Sequence, residues 1–202
     1  MINDFFDNIY CVNLDTRTDR WGNAIQEFEK HKLSVERFPA IVGNPTGIQY
    51  NMLDGNVGCA LSHYNVIKDA NDKKYESILV LEDDVIFSDN LQEQFNDMIQ
   101  YIPSNWDMIY FGGNHNHATL NMINTYVAKI ENTYTTHAYA IRSSVYQSVI
   151  DLFPKLEFEV DVMYASLQKQ FNCYVFRPHL AWQQDGYSDI MKQHTNYEFL
   201  KH

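Results

Sequence analysis

No stretch of this 202-residue chain approaches the roughly 18 consecutive apolar residues of a membrane-spanning helix. The opening MINDFFDNIY holds no basic residue, so it lacks the positive start of a secretory signal. These two absences predict a soluble, cytoplasmic protein with no membrane span. Cysteine is scarce too. Cys11, Cys59 and Cys173 lie in apolar or small-residue stretches with neither CxxC nor zinc spacing, and are expected to be reduced core residues in a reducing compartment. Basic residues are few: 15 Lys plus Arg against 26 Asp plus Glu give a net charge of −11. That balance repels a phosphate backbone and no basic stripe offsets it, which argues against nucleic acid as a partner. No linker-like segment divides the chain, so a single domain over 1–202 is expected.

What is present is an ordinary globular composition, 45% hydrophobic and 14% aromatic. NIYCVNL (Asn8–Leu14) reads as a strand, followed by a helical-period run, WGNAIQEFEKH. VERFPAI (Val35–Ile41) reads as a second strand before the loop GNPTGIQYN, and Val57–Ala70 as a helix. A strand beginning near Ser77 leads into acids. Asp89 is placed to cap a helix from Leu91 to Ile102, which Pro103 ends. DMIYFGG, Ala138–Ile141 and Cys173–Phe176 read as further strands, Ser143–Phe153 and Asp161–Gln170 as helices, and the tail from Arg177 as irregular. Alternating strands and helices predict an α/β sandwich with a mostly parallel central sheet, whose ligands bind beyond the carboxyl ends of the strands.

The segment ILVLEDDVIF puts Glu82, Asp83 and Asp84 at such an end, between two apolar runs. Three adjacent carboxylates repel one another and are costly to bury, so they need a compensating partner. A hard divalent cation would serve, and Mg²⁺ typically keeps positions free for substrate phosphate oxygens. The competing reading is a solvated acidic turn or an ion pair with Arg or Lys. A metal-dependent phosphohydrolase would use similar acids, but its aspartates are expected on the first strand, which here ends in NLDTRTDR.

Six segments, IYCVNLDTRTDRW, RFPAIVG, GNVGCALSHYNVI, ILVLEDDVIF, THAYAI and QQDGYSDI, occur in the order seen in glycosyltransferase family 25, which the chain resembles from about Ile9 to Ile190. That family includes lipooligosaccharide and procollagen galactosyltransferases. The resemblance implies a GT-A, Rossmann-like fold, a UDP-hexose donor, Mn²⁺ or Mg²⁺, inversion at the anomeric carbon, and an acceptor hydroxyl on a glycan or a collagen-like hydroxylysine. It implies Asp84 as a direct metal ligand. Glu82 and Asp83 are then expected to hold the metal's water shell or the donor's hydroxyls, with Glu82 also close enough to ligate.

By the same resemblance Asn13, Arg17 and Arg20 lie where the donor is held, although a solvated helix start explains them as well. Gly58, Ser62 and His63 in GCALSH are expected beside the donor, with a hydrogen-bonded core histidine as the alternative. Asp161 is the leading candidate for the base that deprotonates the acceptor, and equally a candidate helix cap. His179 is the expected late metal ligand, with Asp185, Ser188 and Asp189 on the same segment as acceptor or lid residues. His115 and His117 are read as part of a mobile acceptor-side loop. Tyr139, Trp182 and Tyr187 are left without a role. A degenerate, non-catalytic transferase domain that only binds is the competing functional class.

Overall fold

A computed structural model describes residues 1–115 and 119–198. The chain order is α1 (Ile2–Phe5), β1 (Asn8–Asn13), α2 (Thr18–Lys30), β2 (Glu36–Pro39), α3 (Asp54–Asp72), β3 (Ser77–Glu82), β4 (Val85–Phe87), α4 (Leu91–Ile99) and β5 (Met108–Tyr110). Next come β6 (Asn121–Met122), β7 (Val127–Lys129), β8 (Ala138–Arg142), α5 (Ser143–Leu152), a 3₁₀ turn (Phe153–Lys155), α6 (Val160–Gln168) and β9 (Cys173–Phe176). Three short strands close the order: β10 (Ala181–Gln183), β11 (Gly186–Ser188) and β12 (Gln193–Thr195).

The central sheet has the order β2-β1-β3-β8-β5-β9-β7-β6. Strands β1, β2, β3, β5, β6 and β9 run one way, and β7 and β8 run against them. The α/β sandwich expected from the sequence is therefore present. Its apolar strand runs are continuous because both faces are covered. On β3, Ile78 and Val80 pack with Val57, Ala60, Val66 and Ile67 of α3 and Val145 and Val149 of α5. Leu79 and Leu81 face the other way, toward Ala24 and Phe28 of α2 and Leu91 and Phe95 of α4. These four β3 side chains are fully buried, and each such burial contributes about 1.5–3 kcal/mol.

Two expectations are corrected here. Asp89 does not cap α4: the N-cap is Asn90, without a side-chain bond to the helix, and the Asp89 carboxylate instead meets Lys30 Nζ at 3.0 Å. The tail is not irregular, since β10 pairs antiparallel with β4 and β11 with β12. No helix among the described residues is long and apolar enough to cross a membrane.

Candidate functional site

The same two-residue alternation that buries β3 distributes the acids at its end. Glu82 continues the Ile78 and Val80 face, so it meets α3. Its Oε1 accepts a hydrogen bond from Thr136 Oγ1 at 2.6 Å and lies 3.5 Å from His63 Nε2. Asp83 continues the Leu79 and Leu81 face, so it meets the start of α2. There Asn13 Nδ2 donates to its Oδ2 at 2.7 Å and Arg20 donates to its Oδ1 at 2.8 Å. Asp84 lies in the turn into β4, 3.3 Å from the Arg20 guanidinium.

These acids open onto a cavity of about 720 Å³ lined also by Arg20, Ile41, Gly43, Cys59 and His63, and by Gln183 and Lys192 of the C-terminal segment. Arg20 is the cation paired with two of these carboxylates, Asp83 and Asp84. Burial, then the charges of Glu82 and Asp83, push the Asp84 carboxyl up to about 7, against the pull of Arg20 and Gln183. Burial also raises Asp83, opposed by Arg20 and Asn13. Burial alone would raise Glu82 as well, but His63 and Thr136 outweigh it and hold that carboxylate below its usual range.

The fit of a divalent cation can be tested on one atom. Asp84 Oδ1 is buried and has no hydrogen-bond partner, which in a folded protein leaves a desolvation cost that a ligand would offset. A buried, unpartnered carboxylate oxygen beside two further acids is a suitable environment for a hard cation. Asp84, with Glu82, fits it; Asp83 has both oxygens committed to Asn13 and Arg20.

Around the cavity, the residues expected at the donor divide by what they touch. Arg20 lines it and also donates to the Tyr187 carbonyl at 2.8 Å. Arg17 is bonded to Asp19 and to Asp189. Ser62 lines the cavity, but its hydroxyl donates to the Gly58 carbonyl at 2.6 Å and accepts from Ile41 N at 2.8 Å. Gly58 works from behind: a Cβ there would stand 2.5 Å from the Ile41 carbonyl and 2.7 Å from that of Gly43. Together they pin the 40–43 wall against α3. Ser188 and Asp189 line the mouth, whereas the Asp185 carboxylate accepts from Tyr197 N.

One expected metal ligand is not brought to the acids. His179 is 2.9 Å from His115 Nε2 and 3.1 Å from Arg177, away from the cavity lining. His117 lies outside the described residues. Asp161 is not the N-cap of α6, which is Glu159. Its carboxylate instead accepts from its own neighbour Val162 N at 2.9 Å and from Thr135 N at 3.4 Å. It is near enough to Glu82 and Cys59 to influence both, and burial raises its pKa above the ordinary carboxylate value.

Sequence reasoning missed other residues. Cys59 is only half buried and lines the cavity, whereas Cys11 and Cys173 are core thiols as expected. Its i, i+4 spacing to His63 was the available signal. Gln183 reaches Asp84, and Lys192 supplies a second cation at the cavity. No local pattern marked either one. Tyr139, left without a role, is fully buried and holds the His63 ring.

The sequence pattern of glycosyltransferase family 25 (LPS biosynthesis protein) matches residues 6–164. A protein of Acanthamoeba polyphaga mimivirus, named procollagen lysyl hydroxylase and glycosyltransferase, is 34% identical over 161 residues, 65% of this chain and 18% of its own length. Human procollagen galactosyltransferase 2 is 28% identical over 129 residues, 53% of this chain and 21% of its own. The chain thus matches about a fifth of the length of these relatives. Among solved structures, A197 from STIV shares the fold with a TM-score of 0.53 at 10% identity, covering 93% of this chain and 92% of that one. Because the family match takes in β1, α3, β3 and the acids at its end, and runs over most of the chain, this protein belongs to glycosyltransferase family 25.

Proposed function

We propose that residues 1–202 form a single GT-A domain that transfers a hexose, most simply galactose and otherwise glucose, with inversion. The donor is a UDP-sugar and the acceptor a hydroxyl on a glycan or a collagen-like protein. The observation that carries this reading is the carboxylate corner: three acids at a strand end, opening on a cavity of nucleotide-sugar size, with one buried oxygen of Asp84 left without a partner. Family membership and the names of the two relatives supply the reaction class.

Asp84 and Glu82 would hold the divalent ion, Mn²⁺ or Mg²⁺, which when bound neutralises charge developing on the departing UDP. The remaining work falls to the chain. Asp83 is held by Asn13 and Arg20 and keeps the end of β3 in register with the start of α2. Arg20 and Lys192 are the cations facing the cavity, and both are available to diphosphate oxygens once a donor enters. Arg17 is paired with Asp189, which lines the cavity, and so holds that segment beside it.

Asp161 is the proposed base for the acceptor hydroxyl. Its pKa, raised by burial, brings the carboxylate nearer to the operating pH, as general-base catalysis requires. The test is transfer from UDP-galactose with Mn²⁺ to a hydroxylysine peptide and to a lactose-terminated glycan, with the product anomer read by NMR. An inverted product on either acceptor, lost in Asp161→Asn while UDP affinity is kept, is the expected result. Nucleotide binding without turnover on any acceptor would replace this reading by that of a binding module.

A further inference from the structure

We propose that Cys59, His63 and Glu82 form a second metal site, for a thiophilic divalent ion of the zinc class, beside the carboxylate corner. Cys59 and His63 are four residues apart on α3, so a thiol and an imidazole share one helix face. Glu82 comes to that face from the end of β3. One ligand atom from each, the sulfur, a ring nitrogen and a carboxylate oxygen, lie within 4.8 Å of one another. The His63 Nε2 to Glu82 Oε1 distance is 3.5 Å. That is close to the edge of roughly 3.4 Å expected for two ligands about 2.1 Å from a tetrahedral ion.

Two further observations point to a ligand. His63 is 0% exposed, and its Nε2, directed at this cluster, has no hydrogen-bond partner. Its other nitrogen, Nδ1, is fixed 2.9 Å from the Tyr139 hydroxyl, itself 2.8 Å from that of Tyr164. A hydrogen bond on the far nitrogen is how metal-binding histidines are oriented. With the ring so held, Nε2 faces the Glu82 carboxylate at 3.5 Å, a gap that either a proton on Nε2 or a cation bound to both groups fills.

The donor set decides the class of ion. One sulfur, one imidazole and one carboxylate suit zinc and its congeners, whereas Mg²⁺ takes oxygen ligands. All three residues line the cavity, so a fourth position faces it. Binding replaces the Cys59 thiol proton, which is released to solvent as the sulfur–metal bond forms. The site shares only Glu82 with the proposed Mn²⁺ corner and does not depend on the transferase reading.

The test titrates Cd²⁺ alone into the metal-free full chain and follows thiolate-to-metal charge-transfer absorption. One equivalent should saturate the band, and a large excess of Mg²⁺ should leave it in place. Cys59→Ser should abolish it, and His63→Gln should weaken binding about tenfold or more. No band in the unaltered protein overturns the site, as does a band that survives Cys59→Ser, which would place the ion on another thiol. His63 is fully buried, so its variant is read together with a thermal melt, and Cys59→Ser decides if that variant does not fold. Binding of UDP with Mn²⁺, measured on the same protein, separates the two proposals. A band without nucleotide binding keeps this site and removes the donor site, and nucleotide binding without a band does the reverse.

Discussion

The carboxylate corner and the His115–His179 cluster are both built of titratable side chains, yet they differ in what is left unmet. At the corner Asp83 and Asp84 share Arg20, Glu82 is held by Thr136 and His63, and a buried oxygen of Asp84 has no partner. In the other cluster, His115 bonds Thr133 Oγ1 with one nitrogen at 2.8 Å and His179 with the other, and Arg177 stands against His179. Burial there, followed by the neighbouring His179 and Arg177, lowers the pKa of His115 to about 4, so it stays neutral near pH 7. A cation would meet Arg177 in that cluster and open carboxylates at the corner. The contrast shows that residue type alone does not mark a ligand site; unmet polar capacity facing a cavity does.

The largest effect that could break this contrast is loss of the ion at the corner. Asp84→Asn should lower Mn²⁺-dependent UDP affinity at least about 100-fold, near 2.7 kcal/mol, by isothermal titration, with the fold intact by circular dichroism. Unchanged affinity would move the metal elsewhere.

Arg20→Ala leaves Asp83 and Asp84 buried without their cation. Removing one partner of a buried pair costs about 3–5 kcal/mol, and because Arg20 is about a fifth exposed the lower end, about 3 kcal/mol, is expected in urea unfolding at pH 8. At pH 5, where Asp84 carries a proton, the loss should shrink.

The sign of the pH dependence follows from the direction of the Asp84 shift. Its carboxyl moves from the ordinary 3.8 up to about 7 on folding. Between those values the native state keeps a proton that the unfolded chain has lost, so this contribution is complete below about pH 4 and disappears as pH rises toward 7. Asp83 and Asp161 act in the same direction, and Glu82 in the opposite one. The buried histidines His31, His115 and His137, whose pKa values burial lowers, lose stability as pH falls through the usual histidine range and so oppose Asp84. The Asp84 contribution is therefore read as a difference: the melting temperature of metal-free Asp84→Asn relative to the unaltered protein should rise from pH 5.5 to pH 7.5. The smallest effect belongs to the histidine pair. His115→Gln should cost about 1 kcal/mol of stability through its lost hydrogen bonds and change UDP affinity less than about twofold.

Much of this was legible in the sequence because it is local. The apolar run Ile78–Leu81 could only be a strand buried on both faces, and the period of two then sends Glu82 and Asp83 to opposite helices. Helix α3 was legible from its spacing but begins at Asp54, three residues before its first buried side chain, Val57. What was not legible is long-range. Strand β10 pairs with β4 across about 95 residues of chain, and Gly112 makes room for it, since a Cβ there would stand 1.9 Å from the Ala181 carbonyl. Without that pairing Gln183 would not reach Asp84, and no periodicity in AWQQDGYSDI announces it. The Asp89 cap failed by one residue, because Asn90 takes the N-cap and leaves the Asp89 carboxylate to Lys30.

The central claim, a donor site completed by a divalent ion at Asp84, is tested most directly by thermal unfolding with UDP alone, Mn²⁺ alone, and both. At 100 times its dissociation constant a ligand adds about 2.7 kcal/mol, which for a domain of this size raises the midpoint roughly 5–10 °C. The account predicts that rise only with nucleotide and metal together, and its disappearance in Asp84→Asn. An equal rise with UDP alone, or none with both, would contradict it.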